Sequence, residues 1–516
     1  MNSFDLALAK YIQEYAPVPL NKVENHFNKT KSTIARSINK INGLVEVNDF
    51  ISFDKQNITT NFSYSGYTKL LNQLSLNQYH TNANERIKAL LVEMALSDTV
   101  NKKQFYTLFN VSNTTLKNDR KYILSTLKSL GLENETVVKK GTRLTGEEAQ
   151  VRIHTAKTVL NTLELDKDNS LIEHPSNTPV NRLIARHFLS ACRDYLNDAV
   201  AMFHKLEQQY QVRLSYNSKK FLIIYFSLTL LRMKRGSQLS PLDIDDWLSN
   251  QYFLIFDSRE ENLLVSRIIA SLTFYAGKYN CYDPRLTPRI EYFSQNICDS
   301  IQTHIHNKSD FFADLYSVIK SCLAQAKLKI SFPDKKLSKV KENHTFVYQL
   351  VKQYISDVER CVDLVLNENQ LATITMVIKK YVVQNKSIDR ERARVYLVSN
   401  SSFNKLGYFI EKLKTHFHID IKGIVNSNEI IHIPEDQYDV LITFTNKISR
   451  YLSFHGKTSV KVDFQLGESD LRALKQLGLS RSARKIPVER FVEEIQHLTP
   501  DELRHLLKNQ FKEHFI

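Results

Sequence analysis

Apolar residues recur at helical spacing along most of the chain, and the clearest case is residues 113–130. Leu116, Ile123, Leu127 and Leu130 fall on one side of a helix there and are expected to pack inward. Thr114, Lys117, Asn118, Lys121 and Ser125 recur on another side, which is cationic and amide-rich and holds no carboxylate. Upstream, residues Lys102 to Phe109 predict a short helix that buries Phe105, Leu108 and Phe109. Between the two lies Asn110-Val111-Ser112, a tight turn with Ser112 as the expected N-cap. Helix, turn and second helix with a basic outer face form helix-turn-helix grammar. Such a face can donate to phosphates and read base edges. An ordinary helical hairpin with a solvated charged face has the same pattern.

Residues 1–70 repeat the theme. Leu20, Val23 and Phe27 line a short helix, 28–31 turns the chain, and Ser32 is the expected cap of a helix that runs to Asn42 and stops at Gly43. Ile34, Ile38 and Ile41 face inward, and Thr33, Arg36, Ser37 and Lys40 are expected outside at the same steps as Thr114, Lys117, Asn118 and Lys121. A small hairpin or wing follows over Val45 to Phe53. The second unit has a wing too, turning at Lys140-Gly141, with Lys139, Lys140 and Arg143 near its tip. A basic tip suits the DNA backbone or the minor groove. Thr145 and Glu148 have the spacing of a capping box that opens the next helix. Two such hairpins with similar basic faces favour nucleic acid over mere packing.

Composition adds direction. The 516 residues carry a formal net charge of +15, which points to an anionic partner, nucleic acid before a membrane surface. Glycine is scarce, at 12 residues, which argues against Gly-rich phosphate loops. Cys192, Cys281, Cys298, Cys322 and Cys361 form no Cys-x-x-Cys pair, as expected of reduced thiols in a cytoplasmic protein. No signal peptide and no membrane-spanning run of about 20 apolar residues is expected. Nucleotide-loop, zinc-protease and nucleophile-elbow motifs are absent from the sequence, and His416 and His418 lack a third ligand beside them. No cofactor, no metal and no enzymatic activity are expected.

The run Lys139-Lys-Gly-Thr-Arg-Leu-Thr-Gly-Glu-Glu-Ala-Gln-Val-Arg152 resembles the end of the second helix-turn-helix domain in bacterial operon regulators that carry phosphotransferase-system regulation domains, or PRDs. These include activators of mannitol and lichenan operons and the Mga and AtxA virulence regulators. The resemblance implies winged helix-turn-helix domains at 1–70 and 80–158, PRD-like helical domains at 180–285 and 286–388, and an EIIB-like α/β domain with C-terminal helices at 392–516. Residues 160–178 read as a linker, with Pro175 and Pro179 nearby. Phe221 to Gly236 is similar to a PRD core helix ending in Arg-x-x-x-Gly. The family carries phosphorylatable histidines in its PRDs; the matching positions here are Tyr225, Arg267, Ser321 and Val377. None of these side chains replaces imidazole in phosphoryl exchange at neutral pH. His187 and His204 are expected to be surface or packing residues.

From 393 the texture changes to short apolar runs, Ala393–Ser399, Ile419–Val425, Asp439–Phe444 and Val460–Phe464, alternating with a helix holding Leu406, Phe409, Ile410 and Leu413. That alternation predicts a small parallel sheet, and it resembles the EIIB fold. In active EIIB the loop after the first strand begins with a phosphate-carrying Cys; here Ser399 to Lys405 has none. Amphipathic helices are expected over 487–516, with Leu503, Leu506, Leu507 and Phe511 suited to packing.

The fold expected is therefore mainly α with a small C-terminal α/β domain. The function expected is sequence-specific regulation of transcription. The partners expected are double-stranded promoter or operator DNA, a second copy of the chain in a homodimer or higher homo-oligomer, and RNA polymerase, with no membrane. The alternatives are a plasmid or phage replication initiator, which needs no EIIB-like tail, and a phosphotransferase-system protein, for which the missing Cys and His are adverse. An RNA antiterminator of the same broad family would begin with a small β domain instead of helices.

Overall fold

A computed structural model describes residues 1–479 together with 503, apart from 54–55, 212, 243–246, 249–251, 273, 277–281, 302–307, 331–336, 338, 385–392, 402 and 478. It is mainly helical, with a small parallel sheet after residue 392.

The first winged unit comprises α1 (Ser3–Tyr15), β1 (Val18–Pro19), α2 (Leu20–Phe27), α3 (Lys31–Asn42), β2 (Ile51–Phe53), β3 (Asn57–Thr60) and α4 (Tyr64–Gln73). Its three strands are antiparallel in the order β1-β3-β2. Asn2 and Asp5 form a reciprocal capping box that starts α1. Leu6, Ala9 and Ile12 of α1, Val23 of α2, Ile34, Ile38 and Ile41 of α3 and Ile58 of β3 are buried in one core. The expected wing over Val45–Phe53 is therefore only its proximal half, the distal strand being β3.

The second unit repeats this order with α5 (Ala83–Leu96), α6 (Lys102–Thr107), α7 (Asn113–Leu130), β4 (Leu132–Val137), β5 (Gly141–Gly146) and α8 (Glu148–Leu160). Asn82 and Glu85 form the capping box of α5. Val100 pairs with Thr142 of β5, as Val18 pairs with Ile58 of β3. Gly141 has φ +123°, and a Cβ there would stand 2.6 Å from the Val100 carbonyl oxygen. The wing thus closes onto its own helix-turn-helix only with glycine at this place.

Four local expectations need correction. Leu108 is exposed, and Tyr106 is buried beside Phe105 and Phe109 in its stead. The N-cap of α3 is Thr30 rather than Ser32. No side chain caps α8; Glu148 pairs with Arg152 and Arg232 instead of closing a box with Thr145. The supposed linker contains an antiparallel hairpin, β6 (Leu163–Leu165) and β7 (Leu171–Glu173), with Leu163, Leu165 and Leu171 buried. Those three leucines bury enough apolar surface to order the segment despite its polar turn.

Next come α9 (Pro179–Ala191), α10 (Leu196–Tyr210), β8 (Arg213–Leu214), α11 (Tyr216–Lys234), α12 (Arg259–Ser271) and β9 (Phe274–Ala276). Residues Phe221 to Leu228 of α11 are buried on every side, so this helix is central. The following helices are α13 (Thr287–Ile301), α14 (Lys308–Leu328), α15 (Val340–Asn343), α16 (Thr345–Tyr354), α17 (Ser356–Val362) and α18 (Glu368–Gln384). Their core continues into the sheet unit, because α18 packs on α19 (Phe403–His416).

That unit completes with β10 (Ala393–Val398), β11 (Ile419–Val425), β12 (Val440–Thr443), α20 (Asn446–Phe454), β13 (Val460–Lys461) and α21 (Glu468–Gln476). All its strands are parallel, in the order β11-β10-β12-β13. Leu406, Phe409, Ile410 and Leu413 of α19 are buried against it. The expected C-terminal helices, with Leu506, Leu507 and Phe511, lie outside the described residues; Leu503 is helical and half-buried.

Candidate nucleic-acid interface

Ser112 starts α7 by accepting the Thr115 amide at 3.2 Å, and Gly131 ends it with φ +69°. Between them Ile123 and Leu127 are buried, while Thr114, Lys117, Asn118, Lys121 and Ser125 are exposed. The one carboxylate of the helix, Asp119, is turned inward. The Arg86 guanidinium of α5 holds it with two bonds of 2.7 and 3.0 Å, and the Tyr106 hydroxyl donates to it at 3.1 Å. Arg86 also donates to the Thr81 carbonyl oxygen at 2.6 Å. Removing one partner of such a buried pair costs roughly 3–5 kcal/mol. α7 is therefore tied in register to α5 and α6, and its outer face is left without negative charge.

On α3 the expected outer face is only partly outside. Arg36 and Lys40 are exposed and Thr33 is half-buried, but Ser37 is buried and donates to the Asp5 carboxylate of α1 at 2.6 Å. Lys40 reaches the same carboxylate at 3.9 Å while staying 59% exposed. Ser37 is thus a tie between helices and not a surface donor.

The reason is a register one residue different from the equal-step match. Asn28 and Asn110 both have φ +49° in the turns, and Thr30 and Ser112 are the two N-caps. Aligning these pairs Ile34 with Leu116, Ser37 with Asp119 and Ile41 with Ile123. In both units the same buried polar position ties the outer helix to the first helix. The outer face of α3 then reads Lys31, Ser32, Arg36, Asn39 and Lys40, and that of α7 also includes Asn113 and Arg120, all exposed. Lys31, Ser32, Asn39 and Asn113 were missed by equal spacing, and the repeated Asn and cap positions hold the signal that finds them; Arg120, opposite buried Ile38 in that register, was missed with no such signal.

Lys139 and Lys140 are exposed at the wing turn, where Lys139 has φ +60°. Arg143 is exposed on β5 opposite Glu135, two pairs back from the closing pair Val137–Gly141. Among the described residues Lys117, Lys121, Lys139, Lys140 and Arg143 make no ion pair.

Three of the four positions expected from PRDs are buried and the fourth is half-buried. Tyr225 is fully buried in α11, and Arg267 is buried in α12. Ser321 of α14 is half-buried and donates to the Ser271 and Leu272 carbonyls at 3.2 and 3.3 Å, and Val377 of α18 is buried. Beside Tyr225 lies a cluster of charges. Arg152 of α8, with no exposed surface, donates to Glu148 at 2.7 Å and to both Glu261 oxygens at 2.7 Å. Arg232 donates to both Glu148 oxygens at 2.6 and 2.7 Å. Burial opposes the Arg152 charge, but Tyr225, Glu261 and Glu148 outweigh it and hold its pKa above the ordinary arginine value. In the loop after β10, the Ser399 hydroxyl accepts the Ser401 amide at 3.1 Å.

No helix among the described residues is long and apolar enough to cross a membrane. No curated protein matches the chain. Two family descriptions do: an Mga helix-turn-helix domain over residues 71–157 and a PRD domain over 291–381. The first match covers the second winged unit from α5 to most of α8, and the second runs from within α13 to within α18. Both families are regulatory. Their pairing is the hallmark of PRD-containing regulators of the Mga and AtxA type, which the chain resembles, and it supports a PRD-containing, DNA-binding regulator of transcription.

Proposed function

We propose that both winged units engage one duplex, with α3 and α7 as the reading helices. Lys117, Lys121, Arg36 and Lys40 neutralise phosphates or reach base edges; Asn118, Thr114 and Thr33 add hydrogen bonds; Lys139, Lys140 and Arg143 follow the backbone from the wing. Ser37 acts from inside by fixing α3. The observation that carries this reading is the outer face of α7: cationic, exposed, capped at both ends, and cleared of carboxylate by the Arg86–Asp119 tie. In this reading the chain works in the cytoplasm as a homodimer or higher homo-oligomer, assembled through its C-terminal half, and meets RNA polymerase at the promoter. It performs no catalysis.

Duplex fragments recovered from the genome by the full chain provide the test. Fluorescence anisotropy across a salt titration is expected to give a log–log slope of about −5, as contact with five or six phosphates requires. A flat response, or no saturable binding in dilute salt, overturns the reading.

We further propose that the PRD-like repeats keep the helical frame without the phosphate switch. Tyr225, Arg267 and Val377 are buried, and Ser321 is committed to carbonyls, so none offers a nucleophile to a phosphorylated carrier. Incubation with phosphorylated carrier protein is expected to transfer no label; stable labelling of this chain would overturn the assignment.

A further inference from the structure

The C-terminal end of α1 meets the N-terminal end of α20 across a separation of 432 residues. A helix C-terminus leaves carbonyls without intrahelical partners, and an N-terminus leaves amides. Here each end supplies the other. The Glu14 carboxylate accepts the Asn446 backbone amide at 2.8 Å. In return the Asn446 side-chain amide donates to the Glu14 carbonyl oxygen, and the Lys461 ammonium of β13 donates to it at 3.2 Å. The charges suit both helix dipoles, an anion at the α20 N-terminus and a cation at the α1 C-terminus.

Two cation–π contacts widen the patch. Lys461 lies 5.4 Å from the Tyr15 ring centroid, and Lys447 of α20 lies 5.2 Å from that of Tyr64, the first residue of α4. A third tie runs from the sheet unit to the β6–β7 hairpin, where the Asn428 side-chain amide donates to the Leu165 carbonyl at 3.1 Å. With these contacts made, Lys31, Ser32, Arg36, Asn39 and Lys40 of α3 all remain exposed. The contact therefore leaves the outer face of α3 open.

We infer that the C-terminal α/β unit is an intramolecular brace for the first winged unit, with the α20–β13 edge as the docking site for the end of α1. The brace fixes the first unit in place, so that a duplex meets both units already ordered. Without it the first unit must be immobilised on binding, and that entropy is subtracted from the affinity. The inference rests on duplex binding by both units.

The test uses the full chain with Glu14→Ala, Lys461→Ala and the double variant. Hydrogen exchange at the first turn of α20 is expected to quicken about tenfold in Glu14→Ala. Affinity for a duplex long enough for both units is expected to fall about fivefold, with the double variant losing less than the product of the singles. Unchanged exchange shows that the contact is not made in solution and overturns the brace. Faster exchange with wild-type affinity, or with raised affinity, also overturns it, the first as mere packing and the second as inhibition. If wild-type protein binds no duplex, the proposed function fails, while slow exchange that quickens in Glu14→Ala still supports the docking.

Discussion

Replacing Arg152 by alanine is expected to cost about 3–5 kcal/mol of stability, read as a lowered midpoint in denaturant or thermal unfolding. The guanidinium has no exposed surface and holds Glu261 with both oxygens at 2.7 Å. Its removal leaves Glu261 buried without that partner, whereas Glu148 keeps Arg232. Burial already holds the Glu261 pKa above the ordinary carboxylate value in the wild type, with Arg152 drawing it down, so loss of Arg152 raises it further. The folded variant then binds more protons than the folded wild type, so its deficit relative to wild type shrinks as pH falls and grows as pH rises through the variant's folded pKa. Arg152→Met with Glu261→Gln is expected to recover most of the loss, because no uncompensated charge remains. A single Arg152→Ala variant as stable as wild type would sink this account.

The cluster also has a mechanical meaning. Arg152 belongs to α8, at the end of the second winged unit, and Glu261 to α12. Arg232, four residues before Gly236 in the Arg-x-x-x-Gly pattern, donates to the Ala95 carbonyl at 2.6 Å, and Arg235 donates to that of Leu96. Two arginines from the end of α11 therefore satisfy the last carbonyls of α5, the helix to which α7 is tied through Arg86. Charge thus links the core helices to α7 through α5.

The second winged unit was legible because each level of its sequence agreed. Ser112 caps, Gly131 and Gly141 turn, and Ile123 and Leu127 repeat at helical spacing. The first unit was legible in outline and wrong at Ser37. A serine on a polar stripe looks the same whether it meets water or an Asp5 carboxylate 32 residues away. The 160–178 segment was misread because its prolines and polar turn were louder than three alternating leucines. The parallel sheet was legible from short apolar runs, to within one to three residues at strand ends. The pairings of Arg152 with Glu261 and of Glu14 with Asn446 leave no periodic trace, since nothing in local spacing reports a partner 109 or 432 residues away.

Lys117→Ala combined with Lys121→Ala is expected to weaken duplex binding by one to two orders of magnitude at physiological salt and to make the log–log salt slope shallower by roughly 2, one counterion's worth for each lost phosphate contact. Both lysines are exposed, and neither makes an ion pair among the described residues. Alanine is the best helix former, so the fold is expected to keep its unfolding midpoint. That separates the double variant from Asp119→Ala, which breaks the buried tie to Arg86 and is expected to lose stability and binding together. Asn118→Ala separates the remaining term. An amide reading a base edge contributes about 1–3 kcal/mol of discrimination at one position, so its loss relaxes sequence preference and leaves the salt slope unchanged. Wild-type slope and affinity in the double-lysine variant would remove α7 from the interface, because these two exposed side chains are the cations at the centre of its outer face.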